Sequence, residues 1–207
     1  MWRFVLNENI RRYRAQIERE TSSTKRATLR SLLDDAQAEL AELEKASTSE
    51  LAKSDASLGL FADHAIDGAM KLHGAQFGII QVYDDTLGGL QILAQKNFRA
   101  EYLRPFAFID PAEGSVSGRC FIEGRTITVE DVNGDPAFGN KRHAAQDGGF
   151  EAVQSSPLRS GSKLIGVLST QFTKSRQFTS KDVQRMDRYA SSVGAELQRH
   201  LEAIVKD

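Results

Sequence analysis

The chain has 207 residues, 40% of them hydrophobic, and its 27 basic and 28 acidic residues leave a formal net charge of −1. This composition excludes a wholly disordered chain, and the balanced charge gives no general field for nucleic acid or for an anionic membrane surface. The single cysteine, Cys120, excludes a disulfide within the chain. No apolar run approaches the length of about 20 residues that a transmembrane helix needs. We therefore expect a cytoplasmic protein that binds neither nucleic acid nor membrane.

Residues 1–50 are predicted to form a helical hairpin that precedes the main domain. Residues 7–46 contain neither Gly nor Pro, and 21–24 form a polar turn. Apolar residues recur at helical spacing on both sides of this turn: Ile10, Tyr13, Ile17, Leu29, Leu33, Ala36, Leu40 and Leu43. Because such narrow stripes cannot form a core alone, we expect the hairpin either to pack on its own domain or to mediate dimerisation.

Residues 55–207 are predicted to form one α+β domain. In chain order, the pattern predicts a helix over 58–72, a strand hairpin over 77–85 and 90–96, a strand over 125–131, a second hairpin over 149–172 and a helix from Thr179 to Ile204. The stretches 97–124 and 132–149 are mixed, with room for a short helix in the second. Thr179 and Asp182 have the spacing of a capping box. Antiparallel hairpins with helices at the two ends favour an α+β sandwich.

Several motifs in this domain resemble those of the GAF domain, a small-molecule-sensing module of signalling proteins. They are DGAMKLHGAQFGIIQVYD, LQILAQKNF, GSVSGRCFIEGRTITVEDVNGDPAF, GFEAVQSSPLRSGSKLIGVLSTQF and QFTSKDVQRMDRYA, in the expected order between Leu58 and Ala203. The second half is similar to a bacterial subgroup associated with sensor kinases and response regulators. The resemblance implies a central antiparallel sheet of GAF/PAS type, with terminal helices packed on one face and a pocket on the other.

Such a pocket accounts for polar residues within the apolar hairpin 149–172, since a pocket wall can hydrogen-bond a ligand or ordered water. Alternation places Gln154 and Ser156 on one face and Ser155 on the other, but it leaves open which face borders the pocket. These groups can equally satisfy backbone groups near the strand ends or meet solvent. The candidate ligand-binding residues are Gln81, Tyr83, Phe106, Cys120, Phe138, Gln154, Ser156 and Gln171.

The sequence departs from the bacterial subgroup at two positions. Ser117 stands where a cysteine is frequent, and Gln171 stands where a histidine often follows the last Ser-Thr. Ligand or redox roles of these family positions therefore do not carry over intact. Two accounts of Cys120 stay open: a reactive thiol activated by Arg119 and a helix start at Ser115, or a small buried hydrophobe, which is favoured.

No catalytic or cofactor motif is complete. The chain has no HExxH or CxxC motif, so we expect no metal site. The lone cysteine has no resolving partner for the reduction of methionine sulfoxide, an activity known in some GAF proteins. The sequence around Cys120 also lacks the Cys-His pair of bilin-binding GAF domains, so we expect no covalent bilin. The cofactor, if there is one, is unknown.

The sequence therefore predicts a non-enzymatic sensory domain that binds a small molecule of unknown identity. We expect it to act as a homodimer, because the stripe over 29–43 and the stripe over 183–204 can join with their copies in a bundle. Its partner would be a sensor kinase or a response regulator of a two-component system. The alternatives are a redox enzyme or thiol sensor that uses Cys120, and a pure protein-interaction scaffold.

Overall fold

The chain forms a six-stranded sheet and seven α-helices in the residues that the structure, a computed structural model, describes: 2–45, 50–103, 106–135 and 142–206. In chain order these are α1 (Trp2–Arg19), α2 (Ser23–Lys45), α3 (Glu50–His73), β1 (Phe77–Asp84), β2 (Gly89–Lys96), α4 (Ala100–Leu103), β3 (Phe108–Ile109), α5 (Val116–Glu123), β4 (Ile127–Val129), α6 (Arg142–Gly148), β5 (Ala152–Ser160), β6 (Lys163–Phe172) and α7 (Ser180–Lys206). A 3-10 turn, Pro111–Glu113, precedes α5.

The strands are arranged in the order β3-β2-β1-β6-β5-β4, and each neighbouring pair is antiparallel. Each face of this sheet supports its own apolar core. Helices α3 and α7 cover one face, where Ile80, Leu168 and Leu197 are buried together. The other face carries Ile79 and Val167 under the segment from α4 to α6. The predicted α+β class, with an antiparallel sheet and terminal helices on one face, is confirmed.

Close contacts fix α7 against both α3 and the sheet. A Cβ atom at Gly194 would lie 2.4 Å from the backbone nitrogen of Arg159 in β5, so only glycine lets the helix approach so closely. The hydroxyl of Tyr189 donates to the carbonyl oxygen of Ala65 at 2.9 Å and occupies the space beside Gly68. These contacts keep α3, α7 and this face of the sheet closely packed.

The central part of the apolar stripe of α7 is buried against other parts of the same chain. Met186, Ala190, Val193 and Leu197 are buried against the sheet and α3. The central part of the stripe on which the expected dimer bundle depended is therefore already covered within the chain. Whether the chain dimerises by another surface stays a prediction.

The N-terminal helices α1 and α2 pack on each other and on the edge of the sheet. Leu6, Ile10, Tyr13 and Ala36 are buried in this small core. The side-chain amide of Asn9 donates to Gln91 of β2 at 3.1 Å. The hairpin thus contacts its own domain, which is the first of the two arrangements that the sequence left open. The side chain of Leu43 lies outside the described residues.

Several predicted boundaries move. Helix α3 begins at Glu50, ahead of the predicted start at Leu58, and the strand predicted over 125–131 is reduced to Ile127–Val129. The mixed stretch 97–124 contains α5, whose first turn is capped by the Ser115 hydroxyl, which accepts from the amide of Gly118 at 3.1 Å. The capping box of α7 is confirmed, since the amide of Thr179 donates to Asp182 at 3.0 Å and the amide of Asp182 donates back at 3.2 Å.

Candidate functional site

A cavity of about 80 Å³ lies on the face of the sheet opposite α3 and α7. Its floor consists of side chains from the three central strands: Ile79, Gln81, Val153, Ser155, Ser169 and Gln171. Its other walls come from the short helices and connecting segments between α4 and β5, including Tyr102, Phe106, Ile109, Val116, Ser117, Ala145 and Phe150. A small, partly open space with apolar walls and a few polar groups is typical of a binding site.

The floor is polar although it is buried. Ser155 of β5 and Ser169 of β6 are register partners, and their hydroxyl oxygens lie 2.7 Å apart in a hydrogen bond. Gln81 is 3% exposed and Gln171 is 5% exposed. The side-chain oxygen of Gln171 has no hydrogen-bond partner among the described residues. A buried amide oxygen without a donor is rare in folded proteins, so this atom is a candidate contact for a bound molecule.

Aromatic rings form one wall of the cavity. Tyr102 of α4 lies with its ring centroid 4.9 Å from that of Phe106, and Phe98 stacks on its other side at 4.8 Å. Phe150, which follows α6, meets the Tyr102 ring edge-to-face at 6.3 Å. Burial raises the pKa of Tyr102, and the nearby carboxylate of Asp147 adds to this increase, so the phenol stays protonated.

Three of the eight predicted ligand-binding residues line the cavity: Gln81, Phe106 and Gln171. Tyr83 is on the same face of β1 but stacks on Phe121 of α5 at 4.3 Å, beyond the cavity. Phe138 lies outside the described residues. The contribution of any of them to ligand binding stays a prediction.

Gln154 and Ser156 lie on the opposite face of the sheet, so the structure does not bring them to the cavity. The amide of Gln154 donates to the hydroxyl of Ser156 at 3.3 Å, and that hydroxyl is hydrogen-bonded to Thr126 at 3.0 Å. Thr126 in turn donates to Asp187 of α7. The physical reason is the pleat: the odd-numbered residues of β5 face the cavity, so the even-numbered ones face α7.

Cys120 is fully buried in α5 and does not line the cavity. Burial raises the pKa of its thiol to about 12, and the carboxylate of Asp187 contributes to the increase. Arg119 and the helix start at Ser115 thus do not produce the activated thiolate that the sequence left open. In the described ranges, no three His, Cys, Asp or Glu side chains are close enough to hold a metal ion.

Sequence reasoning missed the Ser155–Ser169 pair and the aromatic wall. Alternation along β5 had placed Ser155 on the face opposite Gln154, but both faces carry apolar residues, so the parity was undecided. Tyr102 and Phe150 lie in segments without a regular pattern, and no local signal indicates that they meet. Only the packing of α4 and α6 over the sheet brings them to the cavity.

An antiparallel sheet with helices on one face and a cavity on the other defines a class of α+β modules that enclose a small space. The family model for the GAF domain matches residues 55–198, and the chain belongs to this family. None of the curated proteins matches the chain. No helix in the part of the chain that is described combines the length and the apolar character needed to cross a membrane.

Solved structures with low sequence identity share the fold. The GAF domain of a phosphoenolpyruvate-protein phosphotransferase from Coxiella burnetii is 12% identical, with a TM-score of 0.61 and 97% of each chain covered. A domain assigned to a two-component sensor histidine kinase from Sinorhizobium meliloti is 18% identical, with a TM-score of 0.58 over 70% of this chain and 93% of that one. Free methionine-R-sulfoxide reductase from Neisseria meningitidis is also 18% identical, with a TM-score of 0.55 over 74% of this chain and 89% of that one.

Proposed function

We propose that the chain is a regulatory module that senses a small molecule in the cavity without catalysing a reaction. The observation that carries this proposal is the buried polar floor, in which the Gln171 side-chain oxygen has no partner among the described residues. Membership in the GAF family and the likeness to a sensor-kinase domain support a place in a bacterial signalling pathway. A sensor kinase or a response regulator in the cytoplasm would receive the signal.

Native mass spectrometry of freshly purified protein tests ligand binding. We expect a retained small molecule, and we expect its loss in Ala145→Leu, because Ala145 is fully buried and lines the cavity, so added methyl groups fill the space. Ala112→Leu is the matched control, since Ala112 is exposed on the 3-10 turn. Protein that shows neither a retained molecule nor thermal stabilisation by any metabolite extract would contradict the proposal and favour a scaffold with an unused cavity.

Homodimerisation is part of the same proposal, and α2, which carries one of the two stripes expected from the sequence to mediate it, still offers apolar surface. Leu29, Leu33 and Leu40 of α2 are only half-buried, and Leu60 of α3 is 62% exposed. These side chains leave apolar area that a second copy can cover. Multi-angle light scattering at micromolar concentration measures the association, and a monomer there would remove the dimer from the proposal.

The redox alternative depends on Cys120 and has a direct test. Because the thiol is buried and its pKa is raised to about 12, the native protein contains almost no thiolate at pH 8. We expect a disulfide reagent such as DTNB to leave the native thiol unmodified for hours and to label it fully in urea. Rapid labelling of the native chain would revive a thiol-based function.

A further inference from the structure

The carboxamide of Gln171 is an unused hydrogen-bonding group at the floor of the cavity. It is 5% exposed, and its oxygen has no hydrogen-bond partner among the described residues. Its register partners are Phe77 on β1 and Val153 on β5, so the side chains directly opposite it on the adjacent strands are apolar. Because a carboxamide oxygen left without a donor costs free energy, a molecule in the cavity that supplies a donor gains affinity.

The surroundings of this group indicate what such a molecule must be. The other polar groups of the floor are the Ser155–Ser169 hydroxyl pair and Gln81, which lies four residues along β1 from Phe77, or about 13 Å away. All of them are uncharged. A charged group on this floor would lose its hydration without meeting an opposite charge among the described lining residues.

Size and shape restrict the molecule further. The cavity volume of about 80 Å³ is roughly half that of an apolar cavity of about 150 Å³ that takes benzene, but this cavity is partly open, so a small ring can enter it with part of its surface outside. The aromatic part of the cavity lining includes Phe150 and Tyr102, whose rings meet edge-to-face at 6.3 Å. Aromatic walls favour a flat or apolar body, so the group on the floor is a small ring or a fragment of similar size.

We propose that the cavity takes a small uncharged molecule, or the uncharged ring of a larger one, with an N–H or O–H group that donates to Gln171 Oε1. This inference rests on the proposed function and adds the chemical class of the ligand. It assigns Gln171 as the group that selects for a donor, whereas the Ser155–Ser169 pair, whose hydroxyls already bond each other at 2.7 Å, contributes less to selection.

Two probes of nearly equal shape test this class: 2-pyrrolidone, which has an N–H donor, and N-methyl-2-pyrrolidone, which does not. Titration of the isotope-labelled full chain, followed by NMR shifts of the backbone amides of Ser155, Ser169 and Gln171, gives both dissociation constants. We expect 2-pyrrolidone to bind at least tenfold more tightly. This comparison uses the unaltered protein, so it does not depend on the folding of a variant.

A matched pair of variants tests whether Gln171 is the residue responsible for the preference for 2-pyrrolidone. Gln171→Met removes the acceptor and keeps the volume, so we expect both probes to bind it equally well. Gln184→Met on the exposed face of α7 should keep the preference of the unaltered chain. Retention of the tenfold preference in Gln171→Met would overturn the assignment of this residue.

The outcomes separate this inference from the proposed function. If both probes shift the cavity amides with equal affinity in the unaltered chain, the cavity binds small molecules but does not select a donor, and only the inference is overturned. If neither probe shifts them, the class is wrong, and the retained molecule sought by native mass spectrometry still decides the proposed function.

Discussion

The two faces of the β5–β6 hairpin treat buried polar side chains differently. On the face under α7, His73 is hydrogen-bonded to Thr170 at 2.9 Å, and Gln154 donates to Ser156 at 3.3 Å. His73 Nε2 and Gln154 Oε1 lack described partners, but each side chain is held through its other polar atom. On the cavity face, the side-chain oxygen of Gln171 has no partner among the described residues. The first face therefore has the character of an interior and the second that of a binding site.

Truncating a buried apolar side chain should lower the free energy of unfolding more on the helix-covered face than on the cavity face, and we expect this to be the largest difference between them. Leu197→Ala, on the buried face of α7, removes a fully buried side chain from a closely packed layer, and we expect a loss of about 2–5 kcal/mol in the free energy of unfolding. Ile109→Ala, on the cavity wall, should cost less than about 2 kcal/mol, because that side chain already borders empty space and has fewer contacts to lose. Urea denaturation measures both values, and equal losses would contradict the difference in packing.

Thr170→Val tests the polar contact on the helix-covered face. The substitution keeps the shape but leaves the buried ring of His73 without its bond to Thr170, so we expect a loss of about 1–3 kcal/mol in stability. Thr24→Val is the control, since Thr24 is exposed near the start of α2. In a His73→Leu background the cost of Thr170→Val should shrink. An unchanged cost there would show that the two side chains do not interact.

The pH dependence of the free energy of unfolding should also reflect the buried position of His73, with a smaller effect near neutral pH. Burial, and next the charge of Arg176, lower the pKa of His73 to about 4 from its ordinary value of 6.5; Arg185 lowers it further, while Asp182 opposes the shift. As the pH falls, His73 is therefore protonated in the unfolded chain before it is protonated in the folded chain. The contribution of His73 to stability is complete above pH 6.5 and is lost towards pH 4.

Between pH 7 and pH 6 this loss should be about 1 kcal/mol or less. His73→Gln removes the titration, so its unfolding free energy should change less over this range than that of the unaltered chain. Parallel curves for the two proteins would show that His73 does not titrate in this way.

The sequence was sufficient for the fold but only partly for the site. Strand and helix patterns are local, so β1, β2, β5, β6 and α7 could be predicted from periodicity, and the motifs added their arrangement. The faces could not be assigned, because β5 carries apolar residues on both sides: Val153 towards the cavity and Leu158 towards α7. The stripes of α2 and α7 predicted burial but not the partner, since a stripe looks the same whether its own domain or a second chain covers it.

Of these substitutions, Gln171→Met should change the free energy of unfolding least. It therefore gives a direct contrast with Thr170→Val on the other face of the sheet. Gln171 adjoins Thr170 in the chain but points to the cavity, where its amide oxygen has no described partner. Replacing an unpartnered buried amide by an apolar group of similar size removes an unfavourable desolvation and breaks no described bond, so we expect a change within about 0.5 kcal/mol or a slight stabilisation. Urea denaturation without ligand measures it. A loss as large as that of Thr170→Val would mean that Gln171 supports the fold, and the cavity face would then resemble the helix-covered one.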